Sequence, residues 1–185
     1  PFRLKKRGIW GCLADAVGAN LVPSLLSAVL TGIALGQQVP IWWMCTVSVW
    51  SLAWGLRGVI WHQLMDKDAD MATNVRTLPV RYSSDQIARW VRRIVFPAEL
   101  IGLAFIFSVA PVTVFIAFFG YIWFEYERIE RFEVNLILVV PQERQTIVFQ
   151  DFYEVFLPIG VLLGSVFADP NGIPVLVIYL LVFPS

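Results

Sequence analysis

Charge, histidine and cysteine are all scarce in this 185-residue sequence: 15% of it is charged, and it holds one histidine and two cysteines. Soluble domains carry about 25% charged and about 45–50% apolar residues, whereas 58% of this chain is hydrophobic. So much apolar surface with so little charge excludes a well-behaved soluble domain. It also excludes disorder, which needs low hydrophobicity and high net charge. The 14 Lys and Arg are balanced by 14 Asp and Glu, so the basic excess of a nucleic-acid binder is missing. Cys12 and Cys45 sit in or beside apolar segments and read as buried hydrophobes rather than as a disulfide or a metal pair. An integral membrane protein remains.

The start, PFRLKKRG, is basic, but no short apolar stretch with a small-residue cleavage site follows it, so no signal peptide is expected. Pro1 in place of Met, and an end inside the apolar run VIYLLVFPS, give the expectation of a single transmembrane domain over 1–185, truncated at both ends.

No charge falls between Asp15 and Arg57, a run of 41 residues and too long for one span of about 20. Gly36-Gln37-Gln38-Val39-Pro40 divides it with a turn and a helix-starting proline. Residues 16–36 and 40–61 therefore read as a helical hairpin, with Pro23 set to kink the first arm. A capping box, Ser83 with Gln86, opens an amphipathic stretch over 84–93. Residues 94–124 are apolar apart from Glu99 and break at Ala110-Pro111. Residues 125–154 are charged and mixed; within them 134–140 is apolar but too short to span, and reads as interfacial or as a short strand. Asp169-Pro170-Asn171-Gly172 is a turn between two last apolar stretches, 155–168 and 173–185. The fold class expected is all-α, a polytopic transmembrane helical bundle of about six spans. If the turns at 36–40, 110–113 and 169–172 share one side, every Lys and Arg falls on or beside the other, which the positive-inside rule makes cytoplasmic.

The densest chemistry lies in the polar loop after the second span. His62, Asp66 and Asp70 fall at i, i+4 and i+8, on one face if the helix continues, and Asp68 points nearly opposite. Two carboxylates one turn apart form an all-oxygen half-site suited to Mg²⁺, which keeps waters or substrate phosphates in its remaining positions. A divalent cation also removes the repulsion between them. Asn74 suits a left-handed helix cap, and Arg76 just beyond it can grip a phosphate with two N–H groups. The bland alternative is a solvated loop.

The string Asp66-x-Asp68-x-Asp70-x₃-Asn74-Val75-Arg76-Thr77 resembles the second aspartate-rich motif of the UbiA-type intramembrane prenyltransferases, roughly DxxxDxxxGxKS. Asp66 and Asp70 match its aspartates, and Arg76 and Thr77 stand where Lys and Ser are usual. Upstream, Phe2-Arg3-Leu4-Lys5 is similar to that family's Arg-Leu-Lys element. Asn74 replaces the usual glycine, His62-Gln63 replaces the usual pair, and the first motif, NDxxDxxxD, is absent. The resemblance implies Mg²⁺ on Asp66 and Asp70, a polyprenyl diphosphate held by Arg76, Arg3, Lys5 and Lys67, and a lipophilic acceptor in the bilayer. Positioning roles fall to His62 and Asp68. It also implies that this stretch alone, with half of the metal site, is inactive. The alternative function is a non-catalytic polytopic protein, a transporter or structural subunit, with the loop as a charged linker. A CDP-alcohol phosphotransferase is a further alternative, but its DGxxAR string is missing.

Asp15 and Glu99 lie near the expected cytoplasmic ends of their spans, where an acid is as often solvated as functional. Trp50, Trp54 and Trp61 are candidates either for a prenyl-chain cavity, with cation–π contact to a carbocation, or for packing against lipid.

Overall fold

Proline sets where the helices start and where they widen. The computed structural model, which describes residues 8–182, is all-α apart from one small sheet. Helix α1 runs Ile9–Ala34, α2 Ile41–Met65, α3 Lys67–Ala72 and α4 Leu78–Arg81. Helix α5, residues 84–109, is continuous through Ser84–Trp90, Val91–Val95 and Phe96–Val109. Helix α6 is Val112–Phe132, α7 Phe152–Ala168 and α8 Pro170–Val182.

Pro23, Pro97 and Pro158 each follow a π-helical turn by two residues: Val17–Leu21, Val91–Val95 and Phe152–Phe156. A proline ring inside a helix collides with the carbonyl four residues back and donates no hydrogen bond. That carbonyl belongs to Ala19, Arg93 or Glu154, each inside its π turn. The wider turn absorbs the collision, so Pro23 broadens the first arm rather than ending it. Pro40 and Pro111 do the opposite job. Both are extended, with ψ 142 and 156, and cap the starts of α2 and α6. Asp169 caps the turn at Pro170, its Oδ1 accepting from the Asn171 N–H at 3.0 Å. The breaks expected from sequence at 36–40, 110–111 and 169–172 are all present.

Among the described residues one helix, α1, is long and apolar enough to cross a membrane, and α7 and α8 are shorter apolar helices. Residues 134–140, open between two readings, contain strand β1, Asn135–Ile137. It pairs in parallel with β2, Gln145–Ile147, Asn135 opposite Gln145. Cys12 is buried as expected, but Cys45 is exposed.

The chain divides into two compact units. The first comprises the residues up to Phe105 and Leu138–Pro141. Its core gathers Cys12, Ile60, Leu64, Leu78, Ile87, Val91 and Val139. Close backbone approach in this unit depends on Gly102, where a Cβ would stand 2.9 Å from the backbone N of Trp50. The second unit holds Ile106–Ile137 and the chain from Gln142 onward. There α6 packs on α7, the Thr113 hydroxyl donating to the Gly160 carbonyl at 2.6 Å. Phe107, Phe118, Tyr121 and Phe152 form an aromatic cluster beside this contact.

Candidate functional site

The polar loop after α2 is helical over Lys67–Ala72 and again over Leu78–Arg81. Asp66 (φ −85, ψ 2) makes a slight break between α2 and α3. The turns still run through: the Asp66 N–H donates to His62 O at 3.0 Å, and the Asp70 N–H to Asp66 O at 2.9 Å. The i, i+4, i+8 spacing of His62, Asp66 and Asp70 is therefore realised as successive hydrogen-bonded turns, with Asp68 out of phase with the other two acids.

Helix α3 ends as its sequence requires. Asn74 is left-handed, φ 54. The Val75 N–H reaches back to Asp70 O at 2.9 Å, and the Asn74 N–H to Met71 O at 3.3 Å. This is the paired C-terminal closure in which a left-handed residue follows the helix. It fixes Arg76 and Thr77 directly after the turn that carries Asp70.

Asp66, Asp68 and Arg76 are exposed, Asp70 and Lys67 half-buried. None of these five forms a salt bridge with a described residue. Among the described residues the two carboxylates have no ion-pair partner, and hard oxygens one turn apart suit a magnesium half-shell. No group of three or more His, Cys, Asp or Glu side chains able to hold a metal occurs among the described residues. His62 is exposed and lies edge-on to Trp61, ring centroids 4.6 Å apart. Arg3 and Lys5 lie outside the described residues.

Gln63, passed over in the sequence, braces the loop from beneath. Its buried Oε1 accepts from the Leu78 N–H and from the Cys12 thiol, both at 3.3 Å. It thereby ties the segment just after Arg76-Thr77 to α2 and α1. Thr77 is itself wholly buried, and its hydroxyl has no hydrogen-bond partner among the described residues. The available signal was its place, next to His62, between Trp61 and Leu64 on an apolar helix end.

Glu99 is not solvated. It is fully buried against Arg57, whose Nε and Nη2 each donate to it at 2.7 Å. Arg57 Nη1 donates to Leu138 O at 3.2 Å, and the guanidinium lies over Trp54 and Phe96 at 5.2 and 5.7 Å. The Trp54 face is therefore engaged by Arg57. The sequence did hold the clue: one base and one acid of opposite sign in otherwise apolar segments.

A wholly apolar cavity of about 360 Å³ lies in the same unit, walled among others by Cys12, Leu56, Ile60, Leu78, Ile87 and Val95. Leu78 joins it to the polar loop, two residues from Arg76. No protein-family model, curated protein or solved structure matches the chain.

Proposed function

We propose that the chain is part of a polytopic intramembrane prenyltransferase, similar to the UbiA type, which moves a polyprenyl group from its diphosphate to a lipophilic acceptor. The observation that carries this reading is the hydrogen-bonded turn joining Asp66 to Asp70, closed by left-handed Asn74 with Arg76 directly behind it. Spacing, turn and basic residue together reproduce the order of the motif.

On this reading Asp66 and Asp70 hold Mg²⁺, which, when bound, neutralises charge on the departing diphosphate. Arg76, and with it Lys67, Arg3 and Lys5, supplies N–H donors to the same phosphate oxygens. Gln63 keeps the Arg76 segment at a fixed distance from the two acids. The apolar cavity beginning at Leu78 offers the prenyl chain a dry wall beside the phosphate site, with the dimensions of a small-ligand pocket. His62, at the same membrane-facing end, contacts or orients the acceptor. The chain crosses the bilayer about six times, with its cationic loops in the cytoplasm. The other metal ligands belong to a first aspartate-rich motif outside residues 1–185.

Prenyl-transfer assays on the full-length protein test this. Asp66→Ala or Asp70→Ala should abolish Mg²⁺-dependent transfer, and Asp68→Ala should leave most of it. Unchanged turnover in either of the first two overturns the assignment.

A further inference from the structure

In the second unit, α6 leaves its apolar stretch at Phe124 and enters the charged one at Glu125. Glu125 is only 5% exposed, and neither carboxyl oxygen receives a hydrogen bond from a described residue. An ionised carboxylate so placed is costly unless it is paired or neutralised. The nearest cation is Arg128, whose Nη1 stands 3.5 Å from Glu125 Oε1. That same nitrogen donates a hydrogen bond to Asp151 Oδ2, and the guanidinium lies over the Phe124 ring at 5.3 Å. One base is thus shared by two acids, and Asp151 has the stronger hold.

The shared Arg128 nitrogen brings the Asp151 carboxyl group beside that of Glu125. Two ionised carboxylates would present each other with acceptors and no donor. Among the described residues Arg128 is the one cation acting on Glu125. Helix α7 has no charged residue after its first turn. That turn contributes Glu154, which burial pushes up and the Asp151 charge pushes up further, and whose Oε1 accepts from Gln150 Nε2. The Tyr121 hydroxyl accepts from the Phe149 N–H at 2.8 Å.

We propose that Glu125 and Asp151 form a proton-binding pair, in which Glu125 carries the proton and donates it to Asp151 while Arg128 holds Asp151 from the other side. Burial pushes the Glu125 carboxyl up to about 7, Arg128 pulls against this, and Asp151 adds to it. With the proton in place, the turn at 149–151 is tied to α6 by the Glu125–Asp151 contact, by the Arg128–Asp151 ion pair and by the Tyr121–Phe149 bond. When the proton leaves, the Glu125–Asp151 contact becomes a repulsion that works against the other ties of the turn, which is strained at left-handed Phe149 (φ 65). The site is a proton-operated latch.

Infrared spectroscopy of the full-length protein in lipid nanodiscs, with carboxyl-labelled glutamate, tests this independently of any transferase activity. A protonated-carboxyl band should persist above the ordinary glutamate range of about 4.3 and disappear as the pH rises through neutrality. Glu125→Gln should remove this band, Asp151→Asn should move its midpoint to lower pH, and Glu154→Gln should leave the band in place. The absence of such a band, or its survival in Glu125→Gln, overturns the proposal. Glutamine keeps the shape and neutrality of the protonated acid, so failure of that variant to fold also counts against it. An unmoved midpoint in Asp151→Asn removes Asp151 from the pair.

Discussion

The guanidinium of Arg57 and the carboxylate of Glu99 meet through two hydrogen bonds of 2.7 Å, with both side chains wholly buried. They are 42 positions apart in sequence and join α2 to α5. Each is the only charge in its apolar surroundings, so each makes the other's burial tolerable. Leaving one without its partner strands a charge, at a cost of about 3–5 kcal/mol, whereas replacing both by apolar groups is often close to neutral.

Arg57→Met and Glu99→Leu should therefore each lower the unfolding free energy in detergent by about 3–5 kcal/mol. The double variant should recover most of that loss. Denaturant unfolding of all four proteins gives the coupling, and simple additivity would contradict the pairing.

The left-handed cap at Asn74 makes a second prediction. Glycine adopts φ 54 without strain, whereas a β-branched residue loses about 1–2 kcal/mol there. Asn74→Gly should keep full prenyl transfer. Asn74→Val should raise the KM for the prenyl diphosphate several-fold, because it loosens the closure that sets Arg76 behind Asp70. Steady-state kinetics on the full-length protein separates the two outcomes.

Two helical glycines should respond with opposite sign. A Cβ at Gly58 in α2 meets nothing within 4 Å, so Gly58→Ala should stabilise by about 0.5–1 kcal/mol through helix propensity alone. A Cβ at Gly102 in α5 would stand 2.7 Å from Trp50 Cβ and 2.9 Å from its Cα. Gly102→Ala should destabilise by about 1–3 kcal/mol, as overpacking does. Thermal unfolding of the two variants side by side is the measurement.

The Glu125 carboxyl, raised from 4.5 to about 7, makes stability depend on pH in a defined direction. Between those values the folded chain binds more protons than the unfolded one, so this contribution is complete at acid pH and is lost as the pH rises through about 7. Melting temperatures across this window should fall with pH in the wild-type protein and flatten in Glu125→Gln.

Much of this was legible from local chemistry. Pro40, Pro111 and the turn at 169–172 marked helix boundaries because proline fixes its own backbone angle and cannot donate. The Ser83–Gln86 box forms as read, Ser83 Oγ accepting from the Gln86 N–H at 3.3 Å, and Asn74 takes the left-handed cap. Non-local pairings stayed hidden. Arg57 and Glu99 each stood out, but nothing between them in sequence sets their distance. Gln63 looked like an ordinary polar residue at a helix end, and its value lies in the Leu78 N–H that folding brings to it. Strands β1 and β2 are three residues each, too short for alternation to declare them. The π turns ahead of Pro23, Pro97 and Pro158 follow from proline sterics, but a kink and a widened turn use the same residue.

The central claim is that Asp66 and Asp70 together hold a divalent cation against a prenyl diphosphate. Mn²⁺ titration of the full-length protein with a prenyl diphosphate present, followed by electron paramagnetic resonance, tests it most directly. Bound Mn²⁺ should be seen in the wild-type protein and in Asp68→Asn, and should be lost in Asp66→Asn and in Asp70→Asn. Equal Mn²⁺ binding in all four proteins would contradict the account.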